Sequence, residues 1–232
     1  MKRPITTLFM LESLDGKINS GNNDSLDVDR DWKSIEGLRE GLQQYYDLEA
    51  ETDLFSFNTG RVMAKIGVNE RTDTPTRLDD VTFVILDNAP HLTEDGIRYL
   101  SEWAEHLVIV TTNDEHPVFD MLDAYENVNV LQYEQLDLSK MLCDLRDKFG
   151  AERLTIQSGG NMNGRFLRED LIDYVNIVIA PVLVGGRDTS TLIDGEAISS
   201  PKDLDLIRPL ELTRCEQLRD SYVRLEYKVR HQ

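Results

Sequence analysis

The chain has 232 residues, of which 40% are hydrophobic, and it carries 43 acidic against 25 basic side chains, a formal net charge of −18. This length and apolar content predict a single domain, residues 1–232, with a substantial core. The negative charge argues against a nucleic-acid or anionic-membrane surface, because both need a cationic face.

The two cysteines, Cys143 and Cys215, lie far apart in the sequence and without metal-ligand spacing. The sequence therefore predicts neither a disulfide framework nor a metal site, and it favours a cytoplasmic protein. The first apolar run is short and is broken by Glu12, so we expect neither a signal peptide nor a membrane span at this point.

The first predicted strand covers residues 5–11 and has an apolar run typical of burial on both faces. It ends in Glu12-Ser13-Leu14-Asp15-Gly16-Lys17-Ile18, where Asp15-Gly16 signals a turn. Residues 19–31 are polar and acidic and predict a surface loop, since the spacing of a calcium-binding EF-hand is missing. Apolar residues at helical spacing then predict one helix over residues 31–49.

The middle of the chain alternates predicted strands and helices. Strands are expected at 53–57, 81–86, 107–110 and 128–132, and helices at 93–104, 117–125 and 138–149. Such alternation predicts a mainly parallel sheet with right-handed crossovers, in which ligands bind at loops after the strand ends. Thr111 and Thr112 lie in one of these loops; otherwise they are simply strand-end threonines.

Residues 153–188 carry the most informative pattern. A strand over 153–157 stops at Ser158-Gly159-Gly160, a helix follows with Asn161 or Asn163 as its N-cap, and a strand over 174–180 ends at Pro181. Strand, glycine pair and helix N-terminus together suit an anion such as phosphate, because free N–H groups and the helix dipole point at it. A tight turn without a ligand is the alternative.

Residues 212–218 and 222–230 alternate apolar and polar side chains around Arg219-Asp220-Ser221. They predict a C-terminal antiparallel hairpin, so the sheet is expected to be mixed.

The segment 153–188 resembles the C-terminal signature of the dihydrofolate-reductase-like superfamily, and in particular the pyrimidine reductase domain of riboflavin synthesis. The likeness is carried by the Gly-Gly turn, by Leu171-Ile172-Asp173 and by the Pro181-to-Gly185 spacing. The first turn resembles the Ser-Leu-Asp-Gly-Lys-Ile element of these reductases. Gly60-Arg61-Val62-Met63 resembles their Gly-Arg-x-Thr element, with methionine in place of threonine. The resemblance implies a three-layer α/β/α fold, a mostly parallel mixed sheet ending in an antiparallel hairpin, and a homodimer.

The resemblance also implies NADPH as cofactor and assigns roles to particular residues. Residues implied to hold the pyrophosphate are Ser158, Gly159, Gly160, Asn161, Met162 and Asn163. Gly60 and Arg61, with Asn58 and Thr59 before them, are implied to meet a phosphate of the cofactor, and a surface salt bridge is the alternative role for Arg61. Thr111, at the end of a predicted parallel strand, is expected at the adenosine end of the cofactor. Glu12, Ser13 and Asp15 are expected beside the reacting ring, and Gln157 and Asp15 beside the substrate.

Two departures bear on the substrate. The riboflavin reductases usually carry a glutamate just before the glycine turn, where this chain has Gln157, and the Thr-x-x-x-Asp-Asp-Pro element after the second strand is missing. The expected function is an NADPH-dependent reductase of a small heterocycle, resembling 5-amino-6-(5-phosphoribosylamino)uracil reductase, without the zinc deaminase motif. The alternatives are a reductase of a pterin-like or carbonyl substrate, and a ligand-binding module without turnover.

Overall fold

The computed structural model describes residues 2–231, which fold into two compact units. Residues 53–158, with the residues up to Pro4, form what we call the middle unit; residues 5–52 and 159–231 form the terminal unit. The strands and α-helices of the described residues, in chain order, are β1 (Ile5–Ser13), α1 (Val28–Asp31), α2 (Arg39–Glu49), β2 (Phe55–Thr59), α3 (Gly60–Lys65), β3 (Leu78–Leu86), α4 (Glu94–Trp103), β4 (Ala104–Thr111), β5 (Val128–Gln132), α5 (Leu138–Phe149), β6 (Arg153–Ile156), α6 (Gly160–Arg168), β7 (Tyr174–Ala180), β8 (Leu210–Gln217) and β9 (Val223–Val229).

The middle unit contains five parallel strands in the order β5-β4-β3-β2-β6. The second half of β3 and most of β4 are nearly continuous apolar runs that end fully or almost fully buried, as expected for central strands of a parallel sheet covered by helices. Ile97 and Leu100 of α4 pack with Ile85 of β3 and Ile109 of β4, and all four are fully buried. Because the strands are parallel, the carboxyl ends of β2, β3, β4 and β6 lie at one edge of the sheet.

The terminal unit contains β1, β7, β9 and β8, in that order. β1 and β7 are parallel, whereas β9 pairs antiparallel with both β7 and β8, which confirms the mixed sheet and the C-terminal hairpin. Its core is aromatic: Phe9 of β1 stacks on Tyr45 of α2 with ring centroids 5.2 Å apart, and Trp32 and Tyr222 are fully buried. The Tyr222 hydroxyl donates to the Leu38 carbonyl at 2.8 Å, which satisfies its buried polar atom.

Two helix predictions were wrong in detail. The single helix expected over residues 31–49 is instead α1, a 3₁₀ turn over Trp32–Ser34 and α2. Gly37 interrupts it with φ +87°, a left-handed conformation that a regular helix excludes. The helix expected over residues 117–125 is a 3₁₀ helix over Pro117–Met121. The other predicted strands and helices are present, with ends shifted by a few residues.

The stretch after β7 has little regular structure apart from a 3₁₀ helix over Pro201–Leu206. Both cysteines are free thiols, Cys143 buried and Cys215 exposed. Within residues 2–231, no helix is long and apolar enough to cross a membrane.

Candidate functional site

The residues predicted to act in binding or catalysis are divided between the two units. The terminal unit holds Glu12, Ser13, Asp15, Gly159, Gly160, Asn161, Met162 and Asn163, and the middle unit holds Asn58, Thr59, Gly60, Arg61, Thr111, Gln157 and Ser158.

In the terminal unit, Asp15 fastens the turn after β1 to the loop after β7. Its carboxylate accepts hydrogen bonds from the Ser13 hydroxyl at 2.7 Å and from the backbone N–H groups of Val184 and Gly185 at 2.9 and 2.7 Å. The Ser13 hydroxyl, followed by these backbone donors, lowers the pKa of Asp15 to about 2. In this structure the carboxylate is an intramolecular anchor for the glycine-containing loop.

Lys17, in the same turn, carries a buried ammonium group for which the sequence predicted no role. Its Nζ donates to the Thr189 carbonyl at 2.8 Å, and the next residue, Ile18, donates its N–H to the Ser190 carbonyl at 3.1 Å. The turn after β1 therefore rests on residues 189–194, which we call the bridging segment. No periodic pattern marks this segment in the sequence, because it lies in an irregular stretch.

Helix α6 begins two residues earlier than an Asn161 cap would allow and four residues earlier than an Asn163 cap would allow. Gly159 is the N-cap, so the prediction that Asn161 or Asn163 caps this helix was wrong. Asn163 instead lies inside the helix, fully buried, and its side-chain amide donates to the Leu192 carbonyl of the bridging segment at 2.9 Å. Since Gly159 has no side chain, no side-chain oxygen of the N-cap covers the first N–H groups of α6.

The two glycines of this turn have different surroundings. A Cβ on Gly160 would lie 2.3 Å from the Thr191 carbonyl oxygen, so this glycine admits the backbone of the bridging segment. A Cβ on Gly159 would have no atom within 4 Å, and its φ of −70° and ψ of 158° suit any residue. The open space at the start of α6 is therefore above Gly159, and it fits the close approach of an anion.

The turn after β1 and the N-terminus of α6, which hold the predicted site residues of the terminal unit, both contact the bridging segment. Lys17 and Ile18 bond to its beginning, while the Asp194 N–H donates to the Gly160 carbonyl at 2.9 Å at its end. The turn after β1 and the N-terminus of α6 are thus held in a fixed relation by one short piece of backbone.

Glu12 is the penultimate residue of β1, opposite Ile179 of β7. Its side chain is partly buried, and burial raises its pKa from 4.5 to about 7. A carboxyl group of this kind exchanges a proton near neutral pH, which is the property required of a general acid or base.

In the middle unit, Asn58 and Thr59 shape the start of α3. The Asn58 side chain accepts from the Thr59 N–H at 2.8 Å, and the Thr59 hydroxyl caps α3 by accepting from the Val62 N–H at 3.4 Å. Arg61 stands exposed in the first turn of α3. Its side chain places a positive charge at this edge of the sheet.

Gly60 lies against the buried carboxylate of Asp87, which was not among the predicted site residues. A Cβ on Gly60 would be 2.3 Å from the carboxyl carbon of Asp87, the residue that follows β3. The anion that Gly60 approaches is thus a carboxylate of the protein itself. Close packing against this carboxylate is enough to explain why a glycine stands at this position. In the sequence, the Asp-Asn-Ala-Pro stretch after β3 has the composition of an ordinary turn.

Thr111 and Gln157 also have partners within the middle unit. The buried Thr111 hydroxyl donates to the Asp87 carbonyl at 2.9 Å, while the Ser56 hydroxyl donates to Oε1 of Gln157 at 3.0 Å. The Gln157 N–H continues the sheet by donating to the Phe57 carbonyl, and Ser158 is buried beside it. All of these residues lie at the carboxyl edge of the parallel strands, where a ligand is expected.

The sequence is similar to known proteins over nearly its whole length. The model of the RibD C-terminal domain family matches residues 4–223. A 2,5-diamino-6-ribosylamino-4(3H)-pyrimidinone 5′-phosphate reductase of Methanothermobacter thermautotrophicus is 30% identical over 231 residues, covering 98% of this chain and 99% of that protein. The RibD protein of Bacillus amyloliquefaciens is 25% identical over 219 residues, which are 91% of this chain and 54% of that protein.

Solved structures show the same fold. RibD of Acinetobacter baumannii superposes with a TM-score of 0.69 at 18% identity, covering 99% of this chain and 59% of that one. The riboflavin biosynthesis reductase Rib7 of Saccharomyces cerevisiae gives a TM-score of 0.61 at 16% identity, covering 98% and 90% of the two chains. The chain spans little more than half of the Acinetobacter protein. These likenesses confirm the predicted dihydrofolate-reductase-like fold class, and the family match confirms the resemblance to riboflavin-type reductases. The chain belongs to the RibD C-terminal domain family.

Proposed function

We propose that this protein is an NADPH-dependent reductase of 2,5-diamino-6-ribosylamino-4(3H)-pyrimidinone 5′-phosphate. The observation that carries the proposal is the end-to-end match to a relative named for this reaction. A second relative with the same name, from Archaeoglobus fulgidus, is 26% identical over 84% of this chain. The proposal replaces the uracil expected from the sequence with its 2-amino counterpart, since the two relatives matched over 99% and 88% of their own length are named for the diamino compound.

The geometry of the terminal unit supports a dinucleotide. The N-terminus of α6, with the open space above Gly159, fits the pyrophosphate, because unshielded N–H groups and the helix dipole favour negative charge there. In the middle unit, Arg61 is the proposed partner of a cofactor phosphate through a charge-assisted bond. NADPH supplies the hydride when bound, and the chain supplies binding, orientation and a proton.

Glu12 is the proposed proton donor. Opening a ribosylamino group yields an imine, and reduction of an imine requires a hydride on carbon and a proton on nitrogen. Because the pKa of Glu12 is raised to about 7, the group is partly protonated at neutral pH and matched to this task. Ser13 and Asp15 hold the turn next to it, so their proposed role is to position Glu12 and the substrate.

The proposal extends to the assembly. We infer a homodimer, supported by the exposed apolar side chains Leu204, Ile207, Leu210 and Leu212 on and beside the edge strand β8. The family match across residues 4–223 supports one functional domain. Two free thiols accord with a reducing, cytoplasmic location.

The decisive experiment compares two substrates. Purified protein is supplied with NADPH and either the 2,5-diamino pyrimidinone or the corresponding uracil, and loss of NADPH absorbance is followed. We expect faster turnover of the diamino compound. Faster turnover of the uracil would overturn the substrate proposal, and oxidation of neither compound would overturn the reductase proposal.

Calorimetry on the same preparation separates a reductase from a binding module. NADPH that binds without turnover of either substrate, or of pterin-like and carbonyl compounds, would favour the binding module. The same titration with NADH tests the choice of cofactor, and we expect weaker binding than for NADPH because NADH lacks the 2′-phosphate.

A further inference from the structure

Asp87 occupies the carboxyl end of β3 in the middle unit, with its side chain fully buried. Its oxygens accept from the backbone N–H groups of His91 and Leu92, each at 3.0 Å, from His91 Nδ1 at 3.0 Å and from His116 Nε2 at 3.2 Å. Burial opposes ionisation, but these donors hold the pKa of Asp87 below its ordinary value. The result is a buried carboxylate whose hydrogen-bonding capacity is used by the chain itself.

An acidic residue at the end of a parallel strand is the usual partner of a free ribose 2′-hydroxyl in dinucleotide-binding sheets. Asp87 stands at the end of such a strand. However, two histidines and two backbone N–H groups already occupy its oxygens. Asp87 is therefore unsuited to hold a ribose hydroxyl, and a different role must explain it.

From this geometry we propose that Asp87, His91 and His116 form a positioning cluster that fixes the loops after β2, β3 and β4 for the nicotinamide cofactor. The inference rests on the proposed function, in which Arg61, in the segment after β2, meets a phosphate of the cofactor.

Each of the three loops contacts Asp87. After β2, Gly60 lies against its carboxylate; after β3, His91 and Leu92 donate to it; after β4, His116 donates to it and Thr111 donates to its backbone carbonyl. Asn88 adds a further tie, since its side chain accepts from the Thr112 N–H at 2.9 Å. One carboxylate thus sets the relative positions of three segments that are distant in sequence.

The hydrogen bonds of His116 determine its tautomer. The Val118 N–H donates to Nδ1 at 3.2 Å, so Nδ1 must be an unprotonated acceptor. Nε2 then carries the proton that reaches Asp87, and the ring is fully buried. His91 differs, since its side chain is 41% exposed and it contributes both a ring nitrogen and its backbone N–H.

The test begins with the unchanged protein without cofactor. ¹⁵N NMR of the histidine rings should show His116 as the Nε2–H tautomer. The Nδ1–H tautomer would overturn the cluster, whatever the activity, because Asp87 would then have no donor from this ring.

Two substitutions at His116 test its effect on the cofactor. His116→Leu removes both bonds and should raise KM for NADPH about tenfold or more while changing kcat less, the effect of losing a hydrogen bond to a charged group. His116→Gln keeps one amide donor and one carbonyl acceptor and should recover most of the loss. His106→Leu, at an exposed histidine of β4, is the matched control and should leave KM unchanged.

The outcomes are distinct. An unchanged KM in His116→Leu, or equal KM values in the Leu and Gln variants, would overturn the positioning role. If the Leu variant does not fold, the Gln variant and the tautomer measurement decide. Failure of the unchanged protein to bind NADPH in calorimetry would overturn the proposed function instead, and the positioning role with it, even where the His116 tautomer is the expected one.

Discussion

The Cα of Gly164 faces the carbonyl oxygen of Asp194 so closely that a Cβ on this glycine would lie 2.1 Å from the oxygen. Gly160, one helical turn earlier, meets the Thr191 carbonyl in the same way. Two glycines on one face of α6 therefore let the bridging segment lie directly on the helix, and the segment in turn supports the turn after β1.

Gly164→Ala tests this contact through stability. In an exposed helix interior the change would stabilise by about 1 kcal/mol, because alanine is the better helix former. At Gly164 the new methyl group would collide with backbone, and overpacking of this kind typically destabilises by about 1–3 kcal/mol. We expect a lower free energy of unfolding in urea denaturation. Asn161→Ala, at an exposed position of the same helix, is the control and should not destabilise; a stabilised Gly164→Ala would contradict the contact.

The neighbouring glycine gives a test of cofactor binding that leaves packing intact. Gly159 has room for a side chain and an ordinary backbone conformation, so Gly159→Asp should fold normally. Its carboxylate would cap α6 and occupy the place proposed for the pyrophosphate. Calorimetry should show a loss of NADPH affinity of tenfold or more, about the 1.4 kcal/mol of one charge-assisted contact. Gly159→Ala should lose less of its affinity for NADPH, because alanine adds no charge. An unchanged affinity in Gly159→Asp would mean that the pyrophosphate does not bind at this turn.

The glycine pair shows how far the sequence carried the prediction. Strand, turn and helix were predicted in the correct order, because local propensity and turn chemistry depend on adjacent residues. The distinct roles of Gly159 and Gly160 were not predicted, because Gly160 contacts the backbone of a segment that has no periodic sequence pattern. Asn163 was misread as a cap for the same reason, because its partner, Leu192, lies in that segment.

The role of Asp87 could not be predicted from the sequence for a similar reason. Its donors come from loops after two different strands, and a single acidic residue before Asn-Ala-Pro is indistinguishable from a turn. By contrast, the alternation of strands and helices in residues 53–158 predicted the parallel sheet, because each crossover is local. The break at Gly37 was missed because the apolar spacing continues across it.

Asp15 offers a test by hydrogen exchange. Its two oxygens accept from one hydroxyl and two backbone N–H groups. In Asp15→Asn, the side-chain amide has only one acceptor oxygen, and its NH₂ group would face at least one of these N–H or O–H donors. The Val184 and Gly185 amides should exchange faster in this variant. Because its pKa is lowered to about 2, Asp15 stays ionised down to pH 4, so the effect should not change between pH 5 and pH 8. Unaltered protection of both amides would contradict the anchoring role.

The proposed dimer depends on the edge strand β8. Leu212 is 53% exposed there, and Leu54 of the middle unit is exposed to the same extent, 54%. Leu212→Lys should weaken association by placing a charge in an apolar interface, while Leu54→Lys should not. Light scattering should give about twice the 26.6 kDa of one chain for the parent and the Leu54 variant. A parent mass of one chain across micromolar concentrations would contradict the proposal.

Glu12 links the candidate site to the pH dependence of stability. Its pKa is 4.5 ordinarily and about 7 in the fold, so the folded protein binds this proton more tightly than the unfolded chain does. Below pH 4.5 the carboxyl group therefore does not lower the free energy of unfolding, because it is protonated in both states. As the pH rises from 4.5 through 7, the free energy of unfolding falls progressively. With part of the side chain in contact with water, the full effect is about 1–3 kcal/mol. Glu12→Gln should raise the free energy of unfolding at pH 8 by this amount and leave it unchanged at pH 4. Glu102→Gln, at an exposed glutamate of α4, should show no such difference. Equal stability gains at both pH values would show that Glu12 is not held protonated by burial.

The same Glu12→Gln variant should lose turnover while keeping its affinity for NADPH, since the substitution removes a proton donor and not a cofactor contact.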